Sequence, residues 1–187
     1  NALTLVRVDS ANTTPIIAGM INTPCDYTTT NCGDGGPIAN ARFSLTNSTS
    51  TQPITGMGAD ANGLFLLDQG PNSRGRIRYL NLGNSAVTVA GVNIASNNID
   101  TIAGNGLASP YDNDLANSAS IGSPSGVALD ANGNLFFTDV GPGHLRFVNR
   151  GTTPVTLFAG TEAAITVQPG NVARINHDVN TGGPGND

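Results

Sequence analysis

The tetrapeptide Asp-Ala-Asn-Gly occurs twice, at positions 60–63 within GMGADANGLFLLDQGP and at positions 130–133 within GVALDANGNLFFTDVGP. Asp130 and the asparagines two and four positions later place oxygen atoms as the start of an EF-hand calcium loop does. That loop needs glycine at its sixth position and a bidentate glutamate, whereas here Gly133 is fourth and no such glutamate follows. Asp before Asn-Gly is instead typical of a tight β-turn. We therefore predict structural turns at Asp60, Gly63, Asp130 and Gly133.

The two cysteines, Cys25 and Cys32, bound the polar stretch CDYTTTNC. In an oxidising compartment they would close a small disulfide loop, which stabilises a fold by about 2–3 kcal/mol. The alternatives are two free thiols, or a metal site. A metal site would need further ligands nearby, and the two histidines, His144 and His177, lie far along the chain. We expect the disulfide.

Asp68 and Asp139 end equivalent apolar segments, and each is followed by a recurring arginine, Arg78 or Arg146. A catalytic residue is needed only once in a fold, so recurrence favours structural tasks. Such tasks include capping backbone N–H groups and forming ion pairs between the recurring segments, which are interpreted below as propeller blades. His144 stands where the repeat has Arg76, and no nucleophile or carboxylate cluster accompanies it. We predict no catalytic residue, no metal and no cofactor in this chain.

The whole region around each turn is repeated. Asp60 and Asp130 are 70 positions apart, and LFLLDQGP, RIRYLN and AVTVAG in the first copy match LFFTDVGP, HLRFVN and PVTLFAG in the second. Upstream, PIANARFS from Pro37 matches DLANSASI from Asp114. Each copy predicts four short strands joined by turns, and stacked copies of such a sheet are typical of propeller blades. A solenoid of parallel coils is the alternative, but a solenoid is expected to repeat with a shorter and more regular period.

These parts, in this order, resemble the NHL-repeat β-propellers of the bacterial, secreted type. The resemblance rests on SPSGVALDANGNLFFTD, HLRFVN, LFAG, TIAG and CGDGGPIANARFS, and it covers nearly the whole chain. It implies an all-β fold of four-stranded antiparallel blades in a ring of about six. The segments VNIASNNIDTIAG and TEAAITVQPGNVARI lengthen each unit and predict an added or extended hairpin.

The resemblance also implies a division of the chain into blades and linkers. Residues 1–19 would be the closing strands of a preceding blade, 20–53 a linker loop, 54–104 a blade, 105–123 a linker, 124–176 a blade and 177–187 the start of the next linker. The chain holds under three blades, and a partial ring leaves strand edges unpaired. We expect the remaining blades in further sequence, in other copies of the chain or in partners.

Composition excludes some partners. All eight basic residues are arginine, and the formal net charge is -5. No basic stripe is available to neutralise phosphates, so we expect no nucleic-acid partner. No stretch approaches 18 consecutive apolar residues, which predicts no membrane insertion. The sparsely charged, Asn- and Thr-rich composition favours an extracellular, cell-surface or periplasmic location.

Together these features predict a non-enzymatic scaffold that holds loops in fixed positions to bind a protein, a glycan or further copies of itself. The predicted contact residues lie in two polar loops and are Tyr27, Tyr111, Asp112 and Asp114. The alternative is part of a propeller hydrolase or lyase whose catalytic or metal-binding residues lie in blades outside this chain.

Overall fold

The computed structural model describes residues 5–7, 16–19, 25, 31–43, 54–70, 74–107, 114–141 and 143–175. Within them the regular structure is β-strand, apart from one turn of 3-10 helix at Ile38–Asn40. The predicted all-β fold is confirmed. No helix among these residues is long and apolar enough to cross a membrane.

The strands are short and follow the predicted repeat. They are β1 (Leu5–Arg7), β2 (Ile16–Ala18), β3 (Ile54–Ala59), β4 (Gly63–Asp68), β5 (Arg76–Asn81), β6 (Val87–Val89), β7 (Val92–Ile94), β8 (Ile99–Ala103), β9 (Pro124–Leu129), β10 (Leu135–Asp139), β11 (His144–Val148), β12 (Val155–Leu157), β13 (Ile165–Val167) and β14 (Val172–Arg174). We call β3 to β8 the first unit and β9 to β14 the second unit.

Both units have the same topology. The first contains the four-stranded antiparallel sheet β3-β4-β5-β8, and the second contains β9-β10-β11-β14. Each has a separate two-stranded hairpin, β6-β7 or β12-β13, between its third and fourth sheet strands, in the segments where an added hairpin is expected. Near the start of the chain, β1 and β2 form a further antiparallel pair.

The two sheets pack against each other and form the main core. From the first unit, Phe65 and Leu67 lie on the same face as Ile77 and Tyr79, and all four are fully buried. The second unit contributes Leu135, Phe137 and Val148, and the intervening linker contributes Ala116, Ala119 and Ile121. Full burial of a large apolar side chain stabilises a fold by about 1.5–3 kcal/mol, so this interface holds the two units together.

The first strands of the two sheets approach so closely that glycine is required in β3. A Cβ atom built on Gly56 would lie 2.6 Å from the carbonyl oxygen of Ser125, and one on Gly58 would lie 3.2 Å from Cγ1 of Val127. The hydroxyl of Thr55 also donates a hydrogen bond to the carbonyl of Pro124. The absence of side chains at these glycines therefore sets the spacing between the units.

Backbone bridges fix the alignment of the two linkers and correct the one expected from sequence. Pro37 pairs with Asn98 in the first unit, and Leu115 pairs with Asn171 in the second. Pro37 therefore corresponds to Leu115, one residue after Asp114. In this corrected alignment, buried residues of the first linker occupy positions equivalent to those of buried residues in the second linker. The matched pairs are Ile38 with Ala116, Ala41 with Ala119, and Phe43 with Ile121.

We predict that Gly56→Ala lowers the free energy of unfolding by about 1–3 kcal/mol, because the added methyl group forces two packed backbones apart. Gly126 occupies the equivalent position in the second unit, where an added Cβ would meet only the Thr138 hydroxyl oxygen, at 3.1 Å. Gly126→Ala should therefore cost clearly less. Urea denaturation of the two variants compares them, and equal losses would contradict this account of the close approach.

Candidate functional site

A buried arginine in β5 joins the first sheet to its linker. Arg78 is fully buried, and its Nε and Nη2 atoms donate to Oδ1 of Asp34 at 2.9 and 2.6 Å. Its guanidinium also donates to the carbonyl oxygens of Arg42 at 2.7 Å and Cys32 at 3.0 Å, and its Nη1 lies 3.5 Å from Asp68. One planar side chain thus holds the linker at both ends of its 3-10 turn.

The carboxylate of Asp34 is shared by further donors. Thr101 donates its hydroxyl to Oδ2 at 2.6 Å, and Arg76 lies 3.3 Å from the same oxygen. The pKa of nearby Asp100 is raised by burial and by the negative charge of Asp34, against the opposing effects of the Thr101 N–H and Arg78. Asp34 is therefore the closest carboxylate to the buried Arg78 guanidinium. The ionised form of Asp100 is disfavoured by its burial and by the negative charge of Asp34.

The second unit repeats this arrangement in part. Arg146 is fully buried and donates to the carbonyl oxygen of Ser120 at 2.9 Å, which is the equivalent of the Arg42 carbonyl. Its Nε lies 3.5 Å from Asp139, whose carboxylate accepts the backbone N–H groups of Gly122 and Ser123 at 3.0 and 2.7 Å. The carboxylate of Asp139 therefore fixes the entry of the chain into β9.

Replacing Asp34 or Asp100 by asparagine should change the free energy of unfolding in opposite directions. A group with a raised folded pKa contributes stability below its unfolded pKa and loses it as the pH rises through the folded value. Asp100→Asn should therefore raise the free energy of unfolding at pH 7, with the gain disappearing below about pH 3.8, the ordinary pKa of aspartate.

Asp34→Asn should instead cost about 3 kcal/mol at pH 7, because it removes the closer of the two carboxylates that face the buried Arg78 guanidinium. Urea denaturation between pH 3 and pH 7 checks both variants. Destabilisation by Asp100→Asn at pH 7 would show that this carboxylate is a favourable member of the network.

The two Asp-Ala-Asn-Gly turns are built around their aspartates. Oδ1 of Asp60 accepts the N–H groups of Asn62 and Gly63 at 2.9 and 3.0 Å. Oδ1 of Asp130 accepts the N–H groups of Asn132 and Asn134 at 2.9 and 2.8 Å. Both carboxylates are thus occupied by their own turns. Among the described residues, no group of three or more His, Cys, Asp or Glu side chains could hold a metal ion.

Arg150 connects the two turns across the boundary between the units. Its Nη1 donates to the carbonyl oxygen of Gly133 at 2.6 Å, and its Nη2 donates to Oδ2 of Asp60 at 2.7 Å. The guanidinium also lies over the ring of Phe65, 4.6 Å from its centroid. The sequence analysis missed Arg150, because the first unit has Leu82 at this position and the residue does not recur.

The same arginine contributes to the charge state of Asp60. Burial raises the pKa of this carboxyl, but hydrogen bonds from the Tyr79 hydroxyl and the Asn62 N–H, together with Arg150, outweigh burial and lower it. Burial and the Asp60 carboxylate raise the pKa of Tyr79, which donates to Asp60 at 2.7 Å. The Asp60 contribution to stability is therefore present above the unfolded pKa and is lost as the pH falls through the folded value.

We predict that Arg150→Ala lowers the free energy of unfolding by about 1–3 kcal/mol at pH 7, because it removes charged hydrogen bonds to both turns. The pKa of Asp60 should rise in this variant, and NMR titration of its carboxyl carbon measures the change. Arg150→Lys keeps the charge but loses the fork geometry, and it should have an intermediate effect. An unchanged Asp60 pKa in Arg150→Ala would contradict the role assigned to the guanidinium.

The predicted disulfide is present, and it is attached to this network. Cys25 and Cys32 are bonded with 5.5 Å between their Cα atoms, and both residues are buried. The N–H of Cys25 donates to the carbonyl of Phe43 at 3.2 Å, and the Cys32 carbonyl accepts from Arg42 N–H and from Arg78. The ends of the disulfide loop are thus fixed to the linker and to the first sheet.

The other predicted residues are placed as follows. Asp114 is exposed, and its backbone carbonyl accepts the N–H of Val172 at 3.0 Å. His144 is half-buried with its Nε2 3.2 Å from Arg174 Nη1. The remaining predicted contact residues and the second histidine lie outside the described residues; they are Tyr27, Tyr111, Asp112 and His177.

No protein-family model matches the chain. No curated protein matches it either. The described residues form an all-β protein of two similar units, in which the buried Arg78 and Arg146 join each sheet to its linker.

Proposed function

We propose that this chain is a segment of an NHL-type β-propeller that acts as a non-enzymatic binding scaffold. The observation that carries the proposal is the stacking of two four-stranded sheets with the same topology, each joined to its linker by an equivalent buried arginine. Repeated sheets that pack face to face are the construction principle of propeller blades. Such a framework supplies rigidity and leaves recognition to its loops.

Anchoring at both ends supports a binding role for the two loops. The loop between the cysteines starts and ends at a disulfide that is fixed to the first sheet. The loop after β8 leaves at Asn105, which donates to the Ser118 carbonyl at 2.7 Å, and returns at Asp114. Anchored ends reduce the conformational entropy that a loop loses when it binds a partner.

We assign recognition to Tyr27 in the first loop and to Tyr111, Asp112 and Asp114 in or beside the second. Tyrosine offers a large contact area with little loss of side-chain entropy, and its hydroxyl can bond to a polar partner. The partner class is a protein or a glycan of the cell exterior. The disulfide supports an extracellular, cell-surface or periplasmic location, because disulfides persist in oxidising compartments.

Binding to an array of cell-envelope polysaccharides and extracytoplasmic proteins tests this function. Tyr27→Ala and Tyr111→Ala should each weaken binding of a captured partner by about tenfold, which is 1.4 kcal/mol, without lowering the free energy of unfolding. Phe158→Ala is the matched control, since Phe158 is an exposed aromatic residue of the β12-β13 hairpin and belongs to neither loop. Metal analysis of the purified protein together with its remaining blades is the second measurement. One tightly bound metal ion per protein would overturn the scaffold function and favour the hydrolase or lyase alternative.

A further inference from the structure

The chain contains three Asn-Gly dipeptides, at positions 62–63, 105–106 and 132–133. Asparagine before glycine is prone to cyclise, because glycine has no side chain that hinders its backbone nitrogen. That nitrogen attacks the side-chain amide carbon of the asparagine and forms a cyclic succinimide. The reaction needs a nitrogen that is free to lose its proton and a carbonyl oxygen that can take up negative charge. The hydrogen bonds of each pair therefore decide its reactivity.

In the two Asp-Ala-Asn-Gly turns the glycine N–H is already bonded. The N–H of Gly63 donates to Oδ1 of Asp60 at 3.0 Å, and the N–H of Gly133 donates to the carbonyl oxygen of Asp130 at 3.0 Å. The nitrogen can attack only after this bond is broken, and a bond to a charged carboxylate is the stronger of the two. Both turns therefore slow the cyclisation, and the first turn slows it more.

At Asn105 both reacting groups are arranged for the cyclisation. The N–H of Gly106 donates to no acceptor in the described part of the chain. Oδ1 of Asn105 accepts the N–H of Leu107 at 2.8 Å, so the side chain folds back along the backbone of Gly106. The Leu107 N–H faces the oxygen on which negative charge develops during the attack, as the donors of an oxyanion hole do.

Solvent also reaches this site, because Asn105 is half-buried and Leu107 is 56% exposed, on either side of the buried Gly106. By contrast, Asn81 and Asn149 make the same side-chain turn, with Oδ1 accepting the N–H two residues on at 2.9 Å, but both are fully buried. They are followed by leucine and arginine, whose side chains hinder the attacking nitrogen. These two asparagines should stay intact and serve as internal references.

We propose that Asn105 is a site of spontaneous deamidation that releases the second loop, between Asn105 and Asp114, from its linker. Hydroxide removes the Gly106 N–H proton, and the nitrogen forms a bond to Cγ of Asn105. The Cγ–Nδ2 bond breaks, and Nδ2 takes a proton from water and leaves as ammonia. A second water then adds to one of the two succinimide carbonyl carbons and breaks the bond from that carbon to the Gly106 nitrogen. Addition at Cγ yields aspartate, and addition at the backbone carbon yields isoaspartate.

Either product changes the anchor of the second loop. Nδ2 of Asn105 donates to the carbonyl oxygen of Ser118 at 2.7 Å, and a carboxylate at this position has no proton to donate. Because the two oxygens repel each other, residue 105 separates from the linker. In isoaspartate the backbone carbonyl carbon becomes the free carboxylate. Nη2 of Arg76 lies 3.5 Å from that carbonyl oxygen, so a guanidinium faces the new charge.

Ageing the purified chain in buffers from neutral to alkaline pH, followed by peptide mapping with mass spectrometry, tests the reaction. Asn105 should convert about two- to tenfold faster than Asn132 and about tenfold or more faster than Asn62, because those two sites must first give up a hydrogen bond. The rates should rise with the hydroxide concentration. Electron-transfer fragmentation distinguishes isoaspartate from aspartate at each site.

The same chain unfolded in guanidinium chloride is the control for local sequence. There the three Asn-Gly pairs have lost their native hydrogen bonds and should convert at similar rates. Conversion of Asn62 or Asn132 as fast as Asn105 in the folded chain would overturn the proposed site. A ranking in the folded chain that merely repeats the ranking in the unfolded chain would overturn it as well.

Asn105→Asp reproduces one product and tests the release of the loop. The N–H groups of Gly104 and Asn105 donate to the carbonyls of Ala116 and Ala119, both at 2.8 Å, and hydrogen exchange of these two amides should speed up by about tenfold. Asn117→Asp adds the same charge at an exposed position of the same linker and should leave their exchange unchanged. Exchange at the parent rate in Asn105→Asp would overturn the release.

These measurements follow the reaction and the loop anchor without a binding partner. The effect of deamidation on recognition rests on the scaffold function proposed above, since Tyr111 belongs to the second loop. Partner binding is measured on freshly purified chain, before Asn105 has converted. A failure of the deamidation inference is therefore distinguishable from a failure of the scaffold function.

Discussion

The architecture depends on compensating a buried positive charge. Arg78 has no exposed surface, and removing such a charge from water costs several kcal/mol unless an anion and further acceptors replace the lost hydration. Asp68 of β4 lies 3.5 Å from the guanidinium, and the shorter contacts come from Asp34 and the carbonyls of Arg42 and Cys32, which all belong to the linker. The linker can therefore take only a conformation that delivers these oxygens to β5. Because Cys32 is part of this linker, the guanidinium also fixes one end of the disulfide.

The sequence was sufficient to predict the repeat, the all-β fold and the disulfide. The turns were recognisable because Asp-Ala-Asn-Gly carries its own local hydrogen bonding, which does not depend on distant residues. Recurrence of the Asp-Arg pairs indicated ion pairs between blades, whereas Asp68 lies near Arg78, and Asp139 near Arg146, on neighbouring strands of one sheet. Local chemistry and periodicity are the two kinds of information that a single sequence states directly.

Long-range pairing was harder to predict. Arg150 and Asp60 are 90 positions apart, and neither residue's neighbours indicate that the two side chains meet. The sequence alignment of the linkers paired Pro37 with Asp114 and was wrong by one residue. The residue types match best in that alignment, whereas the backbone bridges pair Pro37 with Leu115. Asp34 stands in a glycine-rich segment that resembles a flexible connection. Its importance follows from the buried arginine, which only the packed structure reveals.

The first unit has Leu82 where the second unit has Arg150, and this difference distinguishes the two units. Neighbouring repeats with similar sequences are prone to exchange strands or pair in the wrong order, since each copy offers nearly the same surface. Arg150 forms its ion pair with Asp60 of the preceding turn, and the second turn contains one extra residue, Asn134, before its strand. These differences favour the native pairing of the two units over a pairing in the wrong order, because only the native order joins Arg150 to Asp60.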